Sequence, residues 1–213
     1  MDSGLTNRAE GAMAYKCPLF SMRNILFSLF VVMSLCVNAQ TFELTARGFV
    51  DSLNMQNDYI VVPFEGSSQT EIFNLALSAV GKHFVSPKDR ISKVEYSQLN
   101  INGTIPNVTN LNRMGMKLYF ELFYNLILEF KDGRMKINGP IINDIVRDAP
   151  FGDKHHMFLT ESERGSAISG HKALFKNNGK VNEKKHKENI ERAMNSLVCH
   201  IVAEMRNAKN ADW

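Results

Sequence analysis

Every second side chain of residues 118–130, from Leu118 to Phe130, is apolar. This period of two is typical of a β-strand that buries one face. Asp132 and Gly133 follow as a two-residue turn, because a type I′ hairpin turn needs positive φ at both central positions. The resulting hairpin places Glu129 opposite Lys136. A slip of one residue would mix apolar and polar faces, so the alternation and the turn favour the same register.

Two segments with helical periodicity lie on either side of this hairpin along the chain. Ser68 and Glu71 have the spacing of a capping box, and an apolar stripe of period 3.6 follows them. A second, longer stripe predicts a C-terminal helix at about 183–208. Because three lysines at 184–187 are unfavourable at a helix N-terminus, we expect its first turn nearer Glu188.

Other short apolar runs predict additional strands. They lie at 59–64, 91–102 and 141–146, with a polar loop at 103–115. Residues 147–182 contain several glycines and short apolar pieces, which indicate loops with one or two short strands.

The order of these elements is strand, helix, three or four antiparallel strands, helix. It predicts an α+β fold in which a single antiparallel sheet carries both helices on one face. The alternative is a helix-grip arrangement, with a ligand between the sheet and the C-terminal helix. We expect one domain at 40–213, with a core at about 58–146 completed by the C-terminal helix.

Residues 22–39 have the order of parts found in a secretory signal. A positive charge at Arg23 precedes an apolar run at 25–37, and a small residue, Ala39, comes just before Gln40. We therefore expect export through the Sec pathway, with cleavage between Ala39 and Gln40. The apolar run is short for a membrane span, which needs about 20 residues, so no stable membrane insertion is expected after cleavage.

Residues 1–21 do not fit in front of such a signal, because they are of mixed polarity and contain Pro18. Met22 followed at once by Arg23 indicates the true start, so residues 1–21 are interpreted as a misassigned extension. Two alternatives concern anchoring: an uncleaved signal, or a lipid on Cys36. Lipidation is disfavoured by Leu35, because lipoprotein signals place a small residue before the cysteine.

Several motifs, taken in order, resemble domain of unknown function 4468. They are Tyr-Ile-Val-Val-Pro-Phe-Glu-Gly at 59–66, Phe-Val-Ser-Pro-Lys-Asp at 84–89, Ile-Ser-Lys-Val at 91–94, Ile-Asn-Gly at 101–103, Phe-Lys-Asp-Gly at 130–133 and Asn-Gly-Pro at 138–140. The resemblance spans about 42–146. It implies a secreted bacterial protein with a fold like that of the TATA-binding protein (TBP), and it implies no activity and no functional residues.

No catalytic, cofactor-binding or metal-binding constellation is recognisable in the sequence. His155 and His156 are adjacent and would point to opposite faces of a strand, which makes them poor joint ligands. Cys199 is the only cysteine after residue 39 and is interpreted as a structural thiol. The formal net charge of +3 is far from the strongly basic character of nucleic-acid binders, so no nucleic-acid partner is expected.

The second face of the long strand is neither cleanly polar nor cleanly apolar. It carries Tyr119, Glu121, Phe123, Asn125, Ile127 and Glu129. Either the C-terminal segment covers this face or the face binds an unknown protein or small molecule. The sequence therefore favours a non-enzymatic binding or interaction module of the periplasm or cell surface. The alternatives are a carrier of a small apolar ligand and an uncharacterised hydrolase.

Overall fold

Two long paired strands form the centre of the protein in a computed structural model that describes residues 40–83, 90–113, 115–148, 154–163 and 172–211. The predicted signal, its cleavage point after Ala39 and the alternative lipid site at Cys36 lie outside these residues. In chain order the elements are β1 (Phe42–Thr45), β2 (Gly48–Asp51), β3 (Tyr59–Pro63), α1 (Gln69–His83), β4 (Ile91–Val94), β5 (Gln98–Arg113), β6 (Met116–Lys131), β7 (Arg134–Asn138), β8 (Ile141–Asp148), β9 (Lys154–Thr160), β10 (Lys172–Phe175) and α2 (Lys184–Lys209).

The larger sheet is organised around β6. Its strands run in the order β10-β9-β8-β6-β5-β4. β5 pairs along one edge of β6, while β8 and β7 share the other edge. β3 pairs outside β7, so Pro63, which lacks an amide donor, lies in an edge strand.

The prediction of a single antiparallel sheet is wrong in two respects. β1 and β2 form a separate two-stranded sheet, and β10 pairs with β9 in parallel. The separate hairpin is held by helix α2, because the side chain of Asn195 bonds both the backbone N–H and the C=O of Phe42 at 2.8 Å. Phe42, Leu44 and Phe49 are buried in the common core, which explains why the hairpin docks there.

The β6–β7 hairpin has the predicted register. Glu129 is opposite Lys136 and Phe130 is opposite Met135. The predicted type I′ turn is wrong, because Gly133 has φ +72° but Asp132 does not have the positive φ that this turn also requires; the two-residue loop itself is as predicted. The expected opposite-charge pair forms, with 3.3 Å between Lys136 Nζ and Glu129 Oε1.

Residues 103–113 of the predicted polar loop belong instead to strand β5, and the predicted strand at 91–102 is divided between β4 and β5. Pairing with β6 overrides the weak local pattern. Gly103 lies directly under the ring of Tyr124, where a Cβ atom would approach Cζ and Oη to 2.2 Å. Asn107, with φ +54°, belongs to an irregularity between Ile105 and Thr109 where the register shifts.

Both helices pack on the same face of the larger sheet. Their apolar stripes join the even-numbered side chains of β6 in one core; the fully buried residues include Ile72, Val80, Leu122, Leu126, Leu128, Ile190 and Met194. The predicted capping box is half formed, since the backbone N–H of Glu71 donates to Ser68 Oγ at 3.3 Å. Helix α2 begins at Lys184, earlier than Glu188.

The early start of α2 has a physical reason in its first turn. His186 is buried there, and a 2.7 Å hydrogen bond joins its Nδ1 to Thr109 Oγ1. Asn189 Nδ2 also donates to Thr109 Oγ1, at 3.2 Å. These tertiary bonds hold the first turn against β5 and offset the unfavourable lysines. Among the described residues, no helix is long and apolar enough to cross a membrane.

Candidate binding surface on the open face of the sheet

The face of the larger sheet that points away from the helices is called here the open face. No helix or strand in the described part of the chain packs over it. It contains every residue of the predicted partner surface, because these residues alternate with the buried ones along β6. Tyr119 and Glu121 are exposed, whereas Phe123, Asn125, Ile127 and Glu129 are half-buried by side chains of neighbouring strands.

The alternative that the C-terminal segment covers the open face is wrong for the described residues. Helix α2 buries Ile190, Met194 and Ile201 against the opposite face. Among the described residues, apolar side chains also fill the space between α2 and the sheet. Leu122 of the sheet and Met194 of α2, for example, both have 0% exposure. This packing is that of a solid core and disfavours a ligand at the position that a helix-grip carrier would use.

Side-chain amides connect the strands across the centre of the open face. Asn125 Nδ2 donates to Asn102 Oδ1 at 2.9 Å and also to Asn100 Oδ1. Asn138 Nδ2 donates to Glu129 Oε1 at 2.7 Å. These bonds fix the orientation of polar groups on a sheet surface, so the face presents a defined pattern of donors and acceptors.

One end of the open face forms a shallow cleft of about 350 Å³, called here the cationic cleft. It is lined by Tyr59, Val61, Glu129, Lys131, Arg134 and Lys136. Three cationic side chains against one carboxylate leave it with a formal charge of +2. Lys136 Nζ lies 4.9 Å from the centre of the Tyr59 ring, within the range of a cation–π contact.

Glu129 is held ionised in this cleft. The hydrogen bond from Asn138, followed by that from Lys136, lowers the pKa of the Glu129 carboxyl, and partial desolvation opposes this shift. The carboxylate is therefore an acceptor at neutral pH. It accepts hydrogen bonds from Asn138 and Lys136, and the charge of Lys131 also favours its ionised form.

The predicted surface contained Glu129 but missed the other members of the cleft. Lys131, Arg134 and Lys136 follow from the hairpin register, which places all three on the same face as Glu129. The sequence signal for them was thus present. Tyr59 and Val61 required knowledge that β3 pairs with β7, which no local pattern supplied.

The adjacent histidines His155 and His156 contact neighbouring side chains of the sheet. In β9, His155 contacts Arg147, while His156 Nδ1 lies 2.9 Å from Asp144 Oδ1 and its ring stacks near Phe158. Within the described residues, no three His, Cys, Asp or Glu side chains come together as a metal site. Cys199 is exposed on α2.

The fold described above is an α+β sheet with two helices on one face. At the level of family, the model of "domain of unknown function (DUF4468) with TBP-like fold" matches residues 59–140. These residues run from β3 through the β6–β7 hairpin. The match confirms the resemblance that the sequence motifs indicated and the TBP-like fold that they implied.

Two solved structures are similar to this chain. A TBP-like protein from Parabacteroides distasonis ATCC 8503 shares 17% identity at a TM-score of 0.45, covering 72% of this chain and 92% of its own. A DUF4468 family protein from Bacteroides ovatus ATCC 8483 shares 10% identity at a TM-score of 0.44, covering 72% of this chain and 85% of its own. No curated protein matches the sequence.

Proposed function

We propose that the protein is a secreted, non-enzymatic binding module whose open face takes an acidic partner. The observation that supports this best is the asymmetry of the sheet. One face is sealed by two helices, and the other presents aromatic, aliphatic and hydrogen-bonding side chains beside the cationic cleft. Surfaces that combine aromatic residues with arginine are typical of protein interfaces.

The charge of the cleft selects the kind of partner. Lys131 and Arg134 lie side by side at the end of the β6–β7 hairpin, and Arg134 offers a planar fork of donors that suits carboxylates. Complementary charge speeds association and excludes like-charged competitors. A partner with clustered carboxylates therefore fits this end of the face, with Tyr119 and Phe123 in contact with its apolar part.

Export is the second element of the proposal, and residues 22–39 support it. The working location is the periplasm or the cell surface. Cell fractionation combined with intact-mass measurement tests this: a chain that begins at Gln40 in the exported fraction is expected. A chain confined to the cytoplasm would contradict it, and added lipid mass would favour anchoring at Cys36.

Site-specific photo-crosslinking tests the binding surface. A benzophenone amino acid replaces Tyr119 or Val61 on the open face, in cells that naturally express the protein. Arg206, exposed on α2, is the matched control position on the helix side. We expect one acidic protein to be captured from both open-face positions and not from Arg206.

Charge reversal makes the crosslinking test specific. The pair Lys131→Glu and Arg134→Glu should reduce the yield of the adduct at Tyr119 at least fivefold. Reversal of Lys93, exposed on β4 outside the cleft, should leave the yield unchanged. Equal adducts at Arg206, or a yield that does not respond to reversal in the cleft, would contradict the proposal.

A further inference from the structure

Strands β8 and β9 separate from each other after a short stretch of pairing. Val146 pairs with His156, and Asp148 with Lys154. Continuing that antiparallel register would place Met157 opposite Ile145 and Phe158 opposite Asp144. No such pairs form, and the ladder between β8 and β9 ends at Val146 and His156, while Met157, Phe158 and Thr160 of β9 pair with β10. The outer edge of residues 141–145 in β8 therefore has no strand partner within the described chain.

A groove of about 650 Å³ lies between the unpaired parts of β8 and β9. It is called here the β8/β9 groove. Its floor includes Ile145 and Met157, which are buried, and Ile141 at its rim is 52% exposed. Phe49 and Leu159 contribute to its walls. A groove with an apolar floor that runs along an unpaired strand edge has the features of a site for strand addition, in which backbone hydrogen bonds give affinity.

Three carboxylates and one cation line this groove. Asp58, Asp144 and Glu163 stand against Arg47, which gives a formal charge of −2. The carboxylate of Glu163 is held in place by the backbone N–H of Leu159, which donates to it at 3.2 Å. Asp144 and Ile145 point to opposite faces of β8, so the groove is acidic on one side of the strand edge and apolar on the other.

We propose that the β8/β9 groove binds an extended peptide segment of a partner protein, which adds as a strand along residues 141–145. Its side chains alternate: apolar ones face Ile145 and Met157, and basic ones face Asp144 and the rim carboxylates. With a rise of about 3.3 Å per residue, a segment of about five or six residues spans the unpaired edge. This interface goes beyond the proposed function, since it uses neither the open-face cleft nor an acidic partner.

Synthetic peptides test this proposal on the purified full-length protein. The probe is fluorescein-labelled Lys-Val-Lys-Val-Lys-Val-amide, measured by fluorescence polarisation. The charge-reversed control is Glu-Val-Glu-Val-Glu-Val-amide, and the backbone control carries N-methyl groups on alternate amides of the basic probe. We expect the basic probe to bind at least tenfold more tightly than either control.

Variants then locate the bound peptide. Asp58→Lys together with Glu163→Lys should weaken binding of the basic probe at least fivefold. Glu95→Lys, an exposed charge reversal in the β4–β5 turn, is the matched control and should change little. Lys131→Glu in the cationic cleft should also leave this binding unchanged, so failure here is separable from failure of the open-face proposal.

The backbone contact has its own readout. On addition of the basic probe, amide NMR signals of residues 141–145 should shift while those of β4 stay in place. Binding that tolerates N-methylation equally well would overturn strand addition. Equal affinity for the two charge types, or no affinity for the basic probe, would overturn the groove as a site for a basic segment.

Discussion

The two faces of strand β6 are built from the same alternating sequence and end in different environments. Leu122, Leu126 and Leu128 have 0% exposure beneath the helices. Ile127, between two of them, is only half-buried on the open face. The difference shows that alternation determines which residues share a face, while the placement of helices α1 and α2 determines which face becomes core.

The largest expected loss of stability is that of Leu126→Ala, and it is compared with Ile127→Ala, the neighbouring residue that points to the opposite face. Leu126→Ala should lower the free energy of unfolding by about 2–5 kcal/mol, because it leaves a cavity in a packed core. Ile127→Ala should cost about 1 kcal/mol or less, since its side chain keeps contact with water. Urea denaturation of both variants measures this, and equal costs would mean that the two faces are covered alike.

The next largest loss of stability is expected at Gly103, which lies on the packed face of the sheet in strand β5. Gly103→Ala should cost about 1–3 kcal/mol, because the new Cβ would overlap the Tyr124 ring. Burial that leaves so little room also raises the pKa of Tyr124 to about 12. In a Tyr124→Ala background the same substitution should cost much less; a cost that persists would place the strain elsewhere.

A feature that depends on residues close together in the sequence, the hairpin register, was predicted correctly. The β6–β7 register followed from alternation and from Asp132-Gly133. Residues 103–113 of strand β5 were predicted as a loop, because Gly103, Thr104 and Asn110 give this stretch the polarity of a loop. Their strand conformation comes from pairing with β6, and this pairing is a tertiary effect.

The candidate surface likewise has a part that the sequence predicts and a part that depends on tertiary pairing. Its β6 residues were predictable because one strand carries them all. The full cationic cleft requires Tyr59 and Val61, brought in by the β3–β7 pairing. The β8/β9 groove was beyond prediction, because nothing in the local sequence shows that β8 and β9 pair over only three residues each.

Acidification should destabilise the protein in two separate pH ranges, one set by a histidine on the helix side of the sheet and one by Glu129 on the open face. Desolvation by burial is the main cause of the lowered pKa of His186; Lys172 and Lys185 act in the same direction and Glu183 opposes them. The unfolded chain therefore takes up a proton more readily than the folded one, and stability should fall as the pH drops below about 6.5. Burial, followed by the charge of His200, lowers the pKa of His83 in the same sense.

Glu129 on the open face acts in a lower pH range. Its pKa is also lowered, so its stabilising contribution is present above about pH 4.5 and is lost as the pH falls further. Denaturation midpoints between pH 8 and pH 3 measure both ranges. His186→Asn should flatten the upper range and Glu129→Gln the lower one, with His83→Asn as the control that isolates His186. An unchanged upper range in His186→Asn would contradict the assignment.

The smallest effect is expected from the surface ion pair on the open face. Lys136→Ala should change stability by about 0.2–1 kcal/mol, because exposed pairs contribute little. Asn138→Ala and Lys136→Ala should each raise the pKa of Glu129, because the hydrogen bond from Asn138 is the largest single cause of its lowered value and Lys136 adds both a hydrogen bond and a charge. A carboxyl NMR titration of Glu129 measures both variants, and a pKa that Asn138→Ala leaves unchanged would contradict this assignment.

The most direct test of the open face is solvent contact of methyl groups in the full-length protein. A soluble paramagnetic agent broadens methyl NMR signals in proportion to their exposure. We predict strong broadening for the methyl groups of Val61 and Ile127 and almost none for Leu122 and Leu126. If Ile127 and Val61 were protected as fully as Leu126 in the protein alone, the open face would be covered within the chain itself, and the proposal of a partner surface would be wrong.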